Sequence, residues 1–385
     1  MEEFLPFHRP FIGEEEIDEV VDTLRSGWIT LGPKTAIFEN KFADHVGARH
    51  AVAVSSCTAA LHLTLEALGL KAGDEVVTCP YTFTSTVASI LYTGATPVLA
   101  DTLPDYPNID PEAVSAKVNE RTRAILPIHF AGAPCDLDAL REIADGAGAF
   151  VVEDAAHALP ASYKGRTIGS IGDATAFSFY AGKNITTGEG GMVATDDQAL
   201  AEAVRVKRLH GISRDAWKRY SAEGSWYYEV SCRGFKYNMT DLEASIGIHQ
   251  LDRLGAFHRR RLEIVSMYNE LLSDTPALSL PEPPAGGESA WHLYVVGIDG
   301  EGLACSRDDV IAMLKADNIG TSVHFIPVHH HPYYRDMLKC GPKDFPNATR
   351  LYEGSISMPL FPAMTDDDVG AVCASLNRIV KENVR

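Results

Sequence analysis

One stretch constrains this chain more than any other: Phe177-Ser178-Phe179-Tyr180-Ala181-Gly182-Lys183-Asn184-Ile185-Thr186-Thr187-Gly188-Glu189-Gly190-Gly191. Its start is apolar and aromatic, which reads as a buried strand. Its end is a glycine-rich turn that reopens into a second strand at Met192-Val193-Ala194. A single lysine stands between the two, with small residues before it and hydroxyls after it. Partial dehydration at a strand end favours the neutral amine and makes a lysine nucleophilic. An arbitrary loop lysine is ordinarily a solvated surface charge, so the reading needs a second motif, and one lies upstream. In Val151-Val152-Glu153-Asp154-Ala155-Ala156-His157 an apolar strand delivers an acid at its carboxyl end, where open α/β sheets build their sites.

An acid and a lysine so placed are what pyridoxal phosphate (PLP) requires. The lysine holds the aldehyde as a Schiff base, and the carboxylate keeps the pyridine nitrogen protonated so that the ring acts as an electron sink. Together the two motifs resemble the DegT/DnrJ/StrS family of PLP-dependent sugar-nucleotide aminotransferases. The resemblance runs from Ser26-Gly27-Trp28-Ile29-Thr30 to Ser357-Met358-Pro359-Leu360-Phe361-Pro362. It implies the fold type I architecture of the α/β class: a large domain with a mostly parallel seven-stranded sheet between helices, and a smaller C-terminal α+β domain.

The periodicity agrees with a parallel sheet. Strands are expected at His50–Val54, Glu75–Thr78, Thr96–Ala100, Ala124–Ile128 and Phe150–Glu153, separated by helical patterns such as Leu137–Gly146. Such alternation predicts crossover helices on a mostly parallel sheet. Near Leu254-Gly255-Ala256 the alternating core pattern stops, and a long amphipathic helix is expected to open at Arg259-Arg260-Arg261. The boundary is therefore placed near Gln250–Phe257, giving a PLP-binding domain over 1–252 and a small domain over 253–385.

Composition excludes several partners. Lys+Arg 34 against Asp+Glu 52 gives a formal charge of −18, whose field opposes nucleic acid and anionic membranes while leaving room for a local basic pocket. No apolar run reaches spanning length, no signal peptide is visible, and seven scattered cysteines without a CxxC pair suit a reducing cytoplasm. The His324-Phe325-Ile326-Pro327-Val328-His329-His330-His331 tract reads poorly as a metal site, since neighbouring residues of a strand point to opposite faces and no Cys or acidic cluster joins them.

The resemblance implies roles for individual residues. Lys183 and Asp154 are catalytic. Thr58 and Ala59, at the helix start Ser55-Ser56-Cys57-Thr58-Ala59, and Ser178 bind the PLP phosphate; local sequence alone reads that start as a plain Ser/Thr N-cap. Phe83 stacks on the ring where some relatives carry tryptophan, and His157 meets the phenolic oxygen where many carry glutamine. Trp28, Thr30, His324 and His329 contact substrate. In Gly234-Phe235-Lys236-Tyr237-Asn238, lysine and asparagine replace the family's common asparagine and arginine; Lys236 and Asn238 reach the phosphate of a neighbouring subunit, making a homodimer with shared sites. The implied reaction moves the amino group of glutamate, with 2-oxoglutarate as the keto acid, to a nucleotide-linked keto sugar. The likeness is nearest to the branch that makes UDP-4-amino-4-deoxy-L-arabinose, which points to a UDP-linked 4-keto sugar for cell-surface polysaccharide or lipid A. Amination at C3 stays open. The family's sugar dehydratases replace the lysine with histidine, and Lys183 speaks against them.

Overall fold

The computed structural model of the protein describes residues 3–212 and 227–385. In the first half strands alternate with helices: β1 (His50–Val54), β2 (Glu75–Thr78), β3 (Thr96–Leu99), β4 (Thr122–Leu126), β5 (Phe150–Asp154), the short β6 (Ser162–Tyr163) and β7 (Arg166–Thr167), then β8 (Ala174–Ser178) and β9 (Gly191–Thr195). The long strands form one seven-stranded sheet in the order β1-β9-β8-β5-β4-β2-β3. The pairs β2–β3, β2–β4, β4–β5 and β5–β8 are parallel, whereas β9 runs antiparallel to both β8 and β1. Strands β2 and β9 are buried along their whole length, as expected where helices cover both faces. The α/β class, the mostly parallel sheet and its seven strands all match expectation.

Helix starts follow local chemistry. Ser56, Asp136 and Asp197 each cap a helix by accepting a hydrogen bond from a first-turn backbone N–H. Thr240 opens the longest helix, Asp241–Leu272, through a capping box in which its N–H donates to Glu243 Oε2 at 2.7 Å. This helix corrects the sequence reading. No break occurs at Gly255 and no new helix opens at Arg259; one helix of 32 residues runs through both. Each interior glycine, Gly247 and Gly255, costs only about 1 kcal/mol. Against that cost, Ala244, Ile248, Leu251, Leu254 and Phe257 pack into one apolar core, and Ile264, Val265, Tyr268 and Leu272 into another.

The second of those cores lies under a small antiparallel sheet of β10 (Leu278–Ser279), β12 (Tyr294–Ile298) and β13 (Ser355–Met358), while β11 (Gly287–Glu288) pairs with β6. Leu5 belongs to the same C-terminal core and bridges Ile319. The N-terminal segment is thereby drawn across the molecule, which carries Phe7 and His8 to the mouth of the large sheet. No described helix is long and apolar enough to cross a membrane.

Candidate active site

Lys183 lies in the loop joining β8 to β9. Because these strands are antiparallel neighbours, the connection is a tight return instead of a crossover. The loop is closed by its own backbone: Phe179 N–H donates to the Gly190 carbonyl at 2.9 Å, Thr187 N–H to Phe179 at 3.0 Å, and Lys183 N–H to Tyr180 at 2.9 Å. Gly191 is required by close approach, since a Cβ there would sit 2.5 Å from the carbonyl of Ser56. Asn184 anchors the turn, its Nδ2 donating to the carbonyls of Leu159 at 2.8 Å and Ala290 at 3.0 Å. Burial lowers the Lys183 ammonium to about 8, with the Asp154 carboxylate acting in the opposite direction.

Two cavities meet at this lysine. One, of about 330 Å³, is lined by Thr58, Phe83, Asp154, His157 and Ser178. The other, of about 400 Å³, is lined by Phe7, His8, His292, Leu293, Ser322 and Leu360. Lys183, Tyr180 and His324 border both. No cluster of metal-ligating side chains occurs among the described residues.

The first cavity has a polarised build. Asp154 ends β5, with Oδ2 accepting from the Thr86 hydroxyl at 2.8 Å and Oδ1 from Ala156 N–H at 3.2 Å. Burial pushes this carboxyl above its ordinary value. His157 accepts a hydrogen bond at Nδ1 from Ala131 N–H at 3.2 Å. Burial, followed by the Lys183 charge, drives its pKa well below the ordinary range, so the ring is neutral and its proton sits on Nε2. Cys57 and Thr58, in the first turn of helix Cys57–Ala67, leave backbone N–H groups without an intrahelical carbonyl. Phe83 is 59% exposed and stands 5.9 Å from the Phe325 ring, which stacks on His157 at 5.6 Å.

These residues fit PLP. A buried acid needs a positive partner, which a protonated pyridine nitrogen provides; an Nε2–H donor suits a phenolic oxygen; and helix N–H groups with the hydroxyls of Thr58 and Ser178 suit a phosphate.

Several expected residues are placed differently. The Ala59 N–H is taken up by the Ser56 hydroxyl at 3.1 Å, so the plain N-cap is present and Cys57 and Thr58 offer the unpaired groups. His329 is fully buried; its Nε2 lies 3.2 Å from Thr349 Oγ1 and its ring packs on Phe345, so it stands in the interior and borders neither cavity. Trp28 and Thr30 also lie outside both cavities of their own chain; Lys236 and Asn238 lie outside them too, which agrees with their being read as residues that reach a neighbouring subunit's site. Trp28 Nε1 donates to Leu31, and Lys236 donates to the Asn238 side chain. Sequence reading missed Thr86, Phe325 and Tyr180, and of the second cavity it named only Lys183 and His324, missing Phe7, His8 and His292. Thr86 follows Phe83 by three residues in helix Thr84–Thr93, so helical spacing from the expected ring-stacking residue could have found it, whereas Phe7 and His8 carry no local signal.

Comparison with known proteins matches this geometry. Residues 10–377 match the DegT/DnrJ/EryC1/StrS aminotransferase family. The spore coat polysaccharide biosynthesis protein SpsC of Bacillus subtilis is 54% identical over 379 residues, covering 98% of this chain and 97% of its own. A protein of Streptococcus pneumoniae described as a sugar aminotransferase, Spr1654, superposes in its PLP form with a TM-score of 0.92 at 32% identity, over 98% of this chain and 99% of that one. PseC of Helicobacter pylori, an aminotransferase involved in pseudoaminic acid biosynthesis, superposes with a TM-score of 0.91 at 27% identity, over 99% and 100%. With a buried lysine, a strand-end acid and a capped helix start on the fold type I sheet, the chain belongs to the DegT/DnrJ/EryC1/StrS family of PLP-dependent sugar aminotransferases.

Proposed function

We propose that this enzyme carries the amino group of glutamate to a ketone on a nucleotide-linked sugar, with a UDP-linked 4-keto sugar as the favoured acceptor. The observation that carries the reading is the position of Lys183 between two cavities. One suits the cofactor; the other sets imidazoles and the Ser322 hydroxyl over apolar Phe7, Pro10 and Leu360, a lining suited to a hydroxylated ring. The description of SpsC as a polysaccharide biosynthesis protein supports an amino sugar destined for polysaccharide. Seven unpaired cysteines accord with a reducing cytoplasm.

PLP, when bound, supplies the electron sink for charge developing beside the reacting nitrogen. The chain's own residues do the rest. Lys183 would hold the cofactor's aldehyde group and would serve as the general base and acid that moves the proton. At pH 7 a lysine with a pKa near 8 is roughly 10% neutral, against roughly 0.03% at the ordinary value. Asp154 fixes the protonated ring nitrogen, His157 Nε2–H the phenolic oxygen, and Thr58 with Ser178 the phosphate, while Phe83 covers the ring face. Residues 1–252 hold the cofactor and 253–385 close over the substrate, with His324 reaching the sugar. Purified enzyme with glutamate should aminate at least one of a panel of nucleotide-linked 3-keto and 4-keto sugars; amination of none overturns the reading.

The sites belong to a homodimer in this proposal, with Lys236 and Asn238 of one protomer holding the phosphate bound by the other. Their place outside their own chain's cavities supports this. Inactive Lys183→Ala subunits mixed with inactive Lys236→Ala subunits should regain roughly a quarter of normal activity, because each hybrid dimer then has one intact site. No recovery after verified subunit exchange refutes the shared site.

A further inference from the structure

Among the imidazoles lining the second cavity, His292 is a buried side chain whose protonation state is fixed by its surroundings. His292 is 7% exposed. Its Nδ1 lies 3.0 Å from Asn184 Oδ1. The Asn184 amide cannot be turned, because its nitrogen already donates to two carbonyls, those of Leu159 and Ala290. The oxygen therefore faces His292, and His292 Nδ1 must carry the proton. The ring is neutral: burial first, then the neighbouring His157, Lys183 and Arg261, hold its pKa well below the ordinary range. A neutral imidazole with its proton on Nδ1 presents a bare lone pair at Nε2. That atom has no protein partner among the described residues, and His292 lines the cavity of about 400 Å³.

Arg261 fixes the backbone of the same residue. This guanidinium is 1% exposed, and its Nη1 donates to the carbonyls of Trp291 at 3.2 Å, His292 at 3.3 Å and Leu360 at 2.9 Å. It rises from helix Asp241–Leu272, so the wall of the cavity is tied to the element shared by both cores. Asn184 adjoins Lys183 in the chain, so His292 and the catalytic amine are held by one turn. Both ends of the His292 residue are thus anchored, and the lone pair has a fixed direction.

An acceptor fixed in this way discriminates between the two substrates. Apart from its reacting amine, glutamate offers only carboxylate oxygens, and a bare lone pair repels these. A keto sugar offers hydroxyl donors beside its ketone. We propose that His292 Nε2 accepts a hydrogen bond from a ring hydroxyl of the keto sugar, making His292 a specificity-determining residue for the acceptor half-reaction alone. Asn184 and Arg261 are its positioning residues. This rests on the sugar and donor assigned above.

The test separates the half-reactions. In His292→Asn the amide nitrogen occupies the place of Nδ1 and keeps the bond to Asn184, while the cavity-facing acceptor is lost. Rapid-mixing absorbance of the PLP form with glutamate reads the donor half. The pyridoxamine form with the best nucleotide-linked keto sugar of the panel reads the acceptor half, and calorimetric titration with the corresponding amino-sugar nucleotide reads binding without turnover. Expected is a glutamate rate within about twofold of wild type, with the sugar half-reaction and the affinity each weakened roughly tenfold, the scale of one buried hydrogen bond. Monodeoxy analogues identify the hydroxyl: the analogue lacking it should lose a similar factor on wild type and nothing further on the variant. His292→Gln, whose amide reaches the Nε2 position, should recover part of the loss. Equal losses in both half-reactions, or an unchanged sugar half-reaction, overturn the inference. If wild type aminates no sugar of the panel, the proposed function fails first; a slowed glutamate half-reaction in His292→Asn still overturns this inference by itself.

Discussion

Replacing Lys183 with alanine is expected to lower turnover by on the order of a thousandfold or more while leaving the fold in place. The loop does not depend on the amine for its shape. Its turn is closed by backbone bonds, by Asn184 and by the Thr186 hydroxyl, which donates to the Phe179 carbonyl at 3.1 Å. What disappears is the nucleophile and the proton carrier. Stability gives an independent check, with a definite sign. The Lys183 pKa is about 8 in the folded protein, below its unfolded value, so between the two the unfolded chain binds more protons and stability rises with pH. Below pH 8 the buried ammonium therefore costs up to about 3 kcal/mol. Cofactor-free Lys183→Ala should be the more stable protein at pH 7, and the gap should close as pH climbs from about 8 toward the ordinary lysine value. Denaturant unfolding of both proteins across that range reads the gap. Borohydride reduction of the holoenzyme followed by peptide mapping should label Lys183; labelling of another lysine removes it from this role.

Asp154→Asn is expected to keep PLP bound and lose on the order of a hundredfold or more in rate, since an amide of nearly the same shape cannot hold the pyridine nitrogen protonated. The neighbouring acid cannot stand in. Glu153 precedes Asp154 on β5, and successive strand residues face opposite sides of the sheet. Its carboxylate is fully buried elsewhere, held by His129 Nε2 at 2.8 Å, Thr175 Oγ1 at 2.8 Å and Gly172 N–H at 2.7 Å. Absorbance of the bound cofactor shows whether binding survives, and single-turnover rates show the loss. A variant within a few-fold of wild type means that some other acid plays this part.

The two residues with the largest expected effects were also the most legible in sequence. Asp154 and Lys183 each stand at the carboxyl end of an apolar run, and a strand announces itself through local hydrophobicity. The turn that follows is written in glycines, and the hydroxyls at the helix start signal either a cap or a phosphate. The structure shows the cap at Ser56 and places Thr58 in the cavity lining. These features are legible because each depends on neighbours within a few residues.

The second cavity depended on the tertiary structure. Phe7 and His8 reach it because Leu5 packs into the C-terminal core and bridges Ile319, a pairing with no periodic trace near either residue. His292 acquires its proton position from Asn184, and its backbone anchor from Arg261 on another helix. Gly255 shows the same limit within one element: its helix penalty is a local property, and the two cores that outweigh it are assembled from distant segments. Local pattern determined where strands end and what chemistry stands there. Packing between remote parts of the chain decided which side chains face one another, because only the folded molecule brings a donor, its acceptor and the cavity between them to fixed distances.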